Sequence, residues 1–391
     1  MSLAIRNVRL VDGTGAAPLK DMTVEVERGT VSWIGPSTTP HRKGLHAEEI
    51  NGHGLTLIPG LIDCHEHFTG DGGLDNGARL ADDAPEAATL KAVGNARRAL
   101  LSGVTSARDV GSRGGINIPF AQAVAAGNVL GPRIIAAGEW LAFAGTWGTF
   151  ARTMSSLEEM VLAIKDQVAR GAGLIKVGAT GTTHDGRQTA TLGPQVLEAA
   201  VRTAHEAGLK IAAHCTGYEG SRQAVEAGVD SIEHGFYLDD ATVRLMAQKG
   251  TYLVPTMSTW DERLRIGRML GEDAKALAAA EERAAESRAS FKRALRAGVK
   301  VAAGSDAGGS AARHGMLARE VELMVENGLP PSKALQAATY EAATLLGIQD
   351  VAGTIEVGKA ADLVLIDGDP YADPSALRNV WAVFQAGKRV G

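Results

Sequence analysis

The stretch Pro59-Gly60-Leu61-Ile62-Asp63-Cys64-His65-Glu66-His67 closes an apolar run with two histidines two positions apart. On a strand, alternate side chains share a face, so His65 and His67 point the same way. Two imidazoles converging at a strand end can grip one divalent cation. The pair alone is a weak signal. Random placement of 10 histidines in 391 residues gives roughly a quarter of an H-x-H by chance, and two surface histidines after a buried strand would read the same.

Four more residues raise the odds. Lys176 sits in the apolar run Leu174-Ile175-Lys176-Val177, His214 follows Ile211-Ala212-Ala213, His234 follows Ser231-Ile232-Glu233, and Asp306 ends Ala303-Gly304-Ser305-Asp306. Singly, each has an ordinary reading: a hydrogen-bonded rim histidine, a snorkelling lysine, an aspartate in a turn or cap. Lys176 is the odd member, because a buried ammonium costs on the order of several kcal/mol unless paired or neutralised. A neutral amine can add carbon dioxide, and the resulting carbamate has two oxygens that can bridge two metals. Metals about 3.5–4 Å apart can share a hydroxide and polarise a carbonyl. Zinc suits a mixed imidazole and oxygen donor set, with manganese or cobalt as alternatives.

The elements that must carry these residues alternate. Apolar strands are expected at 60–65, 105–109, 133–137, 174–177, 211–214, 231–233, 252–255 and 299–303. Amphipathic helices are expected at 85–102, 118–126, 156–170, 193–207, 217–227, 239–249, 272–297 and 332–346. Eight strand-then-helix units are what a (β/α)8 TIM barrel needs, and all six candidates fall at or near the C-terminal strand ends where barrel enzymes build active sites. A doubly wound open sheet is the second choice, but no glycine-rich phosphate turn follows the first strand. Short strands at 4–11, 23–26 and 30–35, and again near 353–358, 361–367, 380–384 and 387–390, assign residues 1–58 and 350–391 to one small β-sandwich domain formed by both termini. Residues 59–349 are then the α/β barrel.

The net charge of −5 and 4% aromatic content carry no basic stripe or stacking platform for nucleic acid. No signal peptide or 18-residue apolar run is read, so a cytoplasmic protein without a membrane span is expected. Cys64 and Cys215 each neighbour a candidate histidine, face the other way on a strand, and are read as reduced thiols. The partner is then a small-molecule substrate, with a homo-oligomer left open.

Taken in order, these segments resemble the amidohydrolase superfamily, closest to the binuclear imidazolonepropionase-like and prolidase-like branch that includes Xaa-Pro dipeptidases. The resemblance runs from Pro59–His67 through Ile175-Lys176-Val177, Ala213-His214, Ser231–Gly235 and Gly304-Ser305-Asp306 to Gly358–Leu363. It implies that His65, His67 and Asp306 hold one metal and His214 and His234 the other, with carboxylated Lys176 between them. A bridging hydroxide would attack a carbonyl, with Asp306 as general base and then acid. The lysine bridge favours hydrolysis of an amide-type C–N bond in an N-acyl, carbamoyl or dipeptide compound. A lactonase or esterase on the same site, and a non-catalytic scaffold, are the alternatives.

The sequence departs from the branch in two places. Ala144-Gly145-Thr146-Trp147-Gly148 stands where a Gly-Gly-His context is usual, and Thr216, with Tyr218 nearby, stands where a substrate-contacting tyrosine is common. Trp147, Thr216 and Tyr218 are therefore the candidate substrate contacts, with Trp140 and Phe143 as further aromatic floor. His184 and His314 are read as surface residues near the mouth. Arg108-Asp109 is read as a structural ion pair beneath it.

Overall fold

The structure, a computed structural model, describes residues 2–39, 47–74, 80, 82–143, 150–182 and 188–391. Two apolar layers organise it. Strands Ser2–Leu10, Leu19–Glu27, Thr30–Pro36, Glu48–Asn51 and Leu55–Pro59 join Leu363–Asp367, Val380–Gln385 and Lys388–Arg389 in one sheet. That sheet is where the two ends of the chain meet: Leu55–Pro59 runs antiparallel to Leu363–Asp367. Leu3, Ile5, Val24, Val26, Leu365 and Phe384 fill its apolar face, which together forms the terminal β-sandwich.

Gly60 is the hinge-point of the architecture. Its N–H bonds Asp362 O in the terminal layer at 2.8 Å, and the next residue, Leu61, bonds Gly103 O in the barrel at 2.9 Å. A Cβ at Gly60 would lie 2.0 Å from Thr105 Oγ1, so only glycine lets the two layers approach here.

The barrel is a TIM barrel of parallel strands. Leu61–Glu66, Val104–Asp109 and Arg133–Ala136 pair in sequence, and Trp140–Phe143, Leu174–Gly178, Lys210–Cys215, Ser231–His234 and Tyr252–Val254 continue the ring. The third strand is broken at Gly138 (φ 79°) into two pieces. The eighth is reduced to isolated bridges, Leu253 to Val301 and Glu66 to Ala307. Its regularity fails because Ala303 N–H turns outward to Ala337 O at 2.7 Å, while Ala303 O still accepts from Cys64 N at 2.9 Å.

Helices follow the strands nearly as the apolar periodicity indicates, with two additions and one division. Met257–Leu270 and Leu317–Glu326 carry no side-chain cap at their first turns, so neither announces its start in the sequence. The expected helix at 332–346 is two, Pro331–Ala337 and Tyr340–Leu346, divided at Thr339 (φ −138°, ψ −92°). The expected strand at 353–358 is instead a series of turns. Among the described residues no helix is long and apolar enough to cross a membrane.

Candidate active site

Every candidate ligand sits at the same end of the barrel, and each is buried. His65 Nε2 and His67 Nε2 lie 3.5 and 3.6 Å from Asp306 Oδ1. One donor atom from each of these three falls within 4.8 Å of the others, the spacing a single cation needs. The His234 ring is 4.9 Å from that of His65 and 4.6 Å from that of His214, centroid to centroid. Lys176 is fully buried between strands, its amine 4.9 Å from the centre of the Trp140 ring.

Hydrogen bonds behind the imidazoles decide which nitrogens face inward. His65 Nδ1 donates to Glu233 Oε2 at 2.6 Å, and His67 Nδ1 donates to Gly111 O at 2.7 Å. His234 Nδ1 shares a 2.7 Å hydrogen bond with Thr256 Oγ1. Each leaves Nε2 as the free donor, the arrangement that orients metal-binding histidines. Glu233 is in turn held by Arg108 Nη2 at 2.7 Å and by Ser231 Oγ. The expected ion pair beneath the site therefore exists with a different partner. Arg108 reaches across the barrel to Glu233, while Asp109 accepts from Phe68 N, Gly111 N and Asn117 Nδ2. Neighbouring residues on a strand point to opposite faces, so Arg108 and Asp109 could not share one.

The eighth strand end is pinned from the first. Asp63 Oδ1 accepts from His65 N and Ser305 N, both at 3.0 Å, and Asp63 Oδ2 from Ser305 Oγ. This fixes the turn that presents Asp306. Ser310 Oγ donates to Asp306 Oδ2 at 3.1 Å, leaving Oδ1 toward the histidines. A Cβ at Gly309 would lie 2.1 Å from Asp306 Oδ1 and 2.5 Å from His67 Cδ2, so the chain can pass the site only as glycine. Three residues here, His234, Thr256 and Asp306, hold φ values of 69°, 49° and 53°. Such left-handed backbone costs about 1–3 kcal/mol per residue and persists where its surroundings over-determine it, commonly at functional sites.

Burial governs the protonation states. It pushes Asp306 up to about 7, opposed by the Lys176 charge. It pulls Lys176 down to about 8, and His67 and His234 to about 3. His65 and His214 are likewise held well below the usual imidazole range, by burial first and by neighbouring positive charge second. Neutral imidazoles and a readily deprotonated amine are the forms that metals and carbon dioxide require. Two fully buried polar atoms, His65 Nε2 and Lys176 Nζ, have no hydrogen-bond partner among the described residues.

A cavity of about 350 Å³ opens onto this cluster. Trp140, Phe150, Phe236 and Trp260 wall it, with Thr216 at one edge. Of the candidate substrate contacts, Thr216 lines the cavity. Tyr218 begins the following helix, is 44% exposed and lies outside the lining, and Trp147 falls outside the described residues, as does His184. Phe143 is half-buried and is not among the cavity's lining residues. Sequence reasoning missed Phe150, Phe236, Trp260, Thr259 and Ser310, which lie beyond strand ends where no periodicity singles them out. Glu233 and Thr256 were also missed, although a glutamate inside the short buried strand Ser231–His234 was itself a signal.

His314 corrects the surface expectation: it is buried, stacked on Phe68 at 5.3 Å. Its Nδ1 lies 2.9 Å from Glu66 Oε2 and its Nε2 2.9 Å from Gly70 O. Burial raises Glu66 to about 8 and lowers His314 to about 4. A protonated Glu66 therefore donates to a neutral imidazole, which donates to the carbonyl. Cys64 and Cys215 are free and buried, and burial pushes both thiols up.

Residues 56–390 match the amidohydrolase family, and the chain belongs to it. It is a hydrolase of the kind that acts on C–N bonds. The chain is 29% identical to an ochratoxinase from Aspergillus niger, over 95% of this chain and 84% of that protein. It is 28% identical to an imidazolonepropionase from Micrococcus luteus, over 98% of each. A solved Xaa-Pro dipeptidase with bound methionine superposes on it with a TM-score of 0.90, 30% identity and full coverage of both chains.

Proposed function

We propose that the protein is a binuclear metal-dependent hydrolase that cuts an amide-type C–N bond in a small molecule. The observation that carries this is the convergence of four imidazoles, one carboxylate and one buried amine that has no hydrogen bond among the described residues at a single barrel mouth. The donor set fits a metal pair. His65, His67 and Asp306 would hold one cation, His214 and His234 the other, and Lys176, as its carbamate, would contribute an oxygen to each. Zinc suits these nitrogen and oxygen donors. When bound, such cations polarise a carbonyl and make water acidic enough to attack at neutral pH.

The chain's own residues supply the rest. Asp306 would take a proton from the attacking water and return it to the leaving nitrogen. Ser310 and Thr259 hold its Oδ2, the latter at 3.4 Å, so the carboxylate keeps one orientation through both transfers. Glu233, Gly111 and Thr256 fix the imidazoles. The aromatic walls exclude bulk water, strengthening the electrostatics inside. Thr216, at the cavity edge, contacts substrate.

Protein purified without chelator is expected to carry close to two metal ions per chain. It should hydrolyse members of a panel of N-acyl compounds, carbamates and dipeptides faster than matched lactones. One metal or none, or a preference for lactones, would reject the reading.

A further inference from the structure

The cavity walls have two aromatic pairs, and they face each other across the metal-ligand cluster. Trp140, in the third barrel strand, and Phe150, in the loop beyond it, meet with ring centroids 5.7 Å apart. Phe236 follows the sixth strand and Trp260 lies in the helix after the seventh, their centroids 6.0 Å apart. In a closed ring of eight, the third and seventh strands are opposite. Ring contacts place each pair against a different part of the cluster: Trp140 lies 5.0 Å from His214 and Phe150 5.7 Å from His67, while Phe236 lies 6.1 Å from His234.

The hydroxyls of the wall already have partners. Ser310 Oγ and Thr259 Oγ1 donate to Asp306 Oδ2 at 3.1 and 3.4 Å, and Thr216 Oγ1 donates to Gln188 Oε1 at 2.6 Å. Among the described residues no lysine or arginine lines the cavity. What the walls offer a ligand is therefore aromatic surface, which recognises by ring packing and burial rather than by charge. A volume of about 350 Å³ lies within the range of small-molecule sites.

We propose that the substrate carries an aromatic ring, or an apolar group of that size, on each side of the bond that is cut, one seated on the Trp140–Phe150 pair and the other on the Phe236–Trp260 pair. This rests on the amide-hydrolase reading above. Hydrolysis adds water across the bond, giving an aromatic acid and an aromatic amine in the simplest case.

The test is a two-by-two set of amides: benzanilide, acetanilide, N-methylbenzamide and N-methylacetamide. With metal-loaded protein, kcat/KM should be highest for benzanilide and fall about tenfold on loss of either ring, and about a hundredfold on loss of both. Trp260→Ala should abolish the discrimination for one ring and leave the other, and Phe150→Ala should do the reverse. Binding is read separately, by quenching of tryptophan fluorescence in the holoenzyme. Turnover that ignores one or both rings overturns the proposal and leaves the amide reading intact. Ring-dependent quenching without turnover of any amide supports the proposed pocket and overturns the amide reading. Absence of both quenching and turnover with benzanilide overturns the proposal.

Discussion

The two halves of the ligand cluster are built differently. On the His65–His67–Asp306 side every ligand-type group is braced from behind, by Glu233, by Gly111 O, and by Ser310 and Thr259. Asp63 ties the two strand ends together. On the other side His234 leans on Thr256, but the Lys176 amine is buried without a hydrogen bond among the described residues. The first half is organised by the protein alone. The second contains a buried amine met by the Trp140 ring and by the charges of Glu233 and Asp306 rather than by a hydrogen bond among the described residues. A site of this kind separates geometry, stored in hydrogen bonds, from reactivity, stored in desolvation.

The comparison breaks most severely at Asp306. Asp306→Asn should lower kcat by roughly 10³–10⁴-fold while the far-UV circular dichroism is unchanged, since the amide cannot carry the proton. Steady-state kinetics on metal-loaded protein measures this. Glu233→Gln strikes the brace rather than the ligand. It leaves the Arg108 charge buried without its partner, at a cost of about 3–5 kcal/mol in chemical denaturation. It should also weaken metal binding on the His65 side by about 10–100-fold in competition with a chromophoric chelator.

Lys176→Met tests the second half. Metal content should drop toward one ion per chain, while the metal-free protein gains about 1 kcal/mol, because a buried amine without a hydrogen bond among the described residues is replaced by an apolar chain. A variant that still loads two ions would remove Lys176 from the bridge. Thr256→Val, close in shape, should weaken only the second ion, by about tenfold.

The smallest effect is on pH dependence. In chelator-treated protein, burial raises Asp109 to about 6, Asp306 and Glu320 to about 7, and Glu66 to about 8. The folded state then holds protons that the unfolded chain releases, so these groups make stability fall as pH rises toward 8. His67 and His234, lowered to about 3, and His314, to about 4, act oppositely, but only below about 6.5, the unfolded imidazole value. Above it the carboxyls are opposed by Lys176, lowered to about 8, which gives up its proton mainly at the top of this range. The urea midpoint of metal-free protein should therefore decline between pH 6.5 and 8; a rise would contradict the buried, protonated carboxyls.

The amino-acid order alone determined the barrel and its mouth. Runs such as Leu174–Val177 and Ile211–His214 are apolar on both faces, as strands covered by helices must be, and a polar residue ending such a run has only the barrel mouth to occupy. That logic located His65, His67, Lys176, His214, His234 and Asp306 without a contact map. Tertiary structure decided what the runs could not encode. The partner of Arg108 is set by cross-barrel geometry, not by its neighbour Asp109. His314 is buried because the loop carrying it folds back onto Phe68 and Glu66. Three of the four wall aromatics, Phe150, Phe236 and Trp260, come from beyond the strand ends, where local periodicity does not place them. Local periodicity fixes which face a side chain takes; only closure of the ring sets which distant side chains share that face.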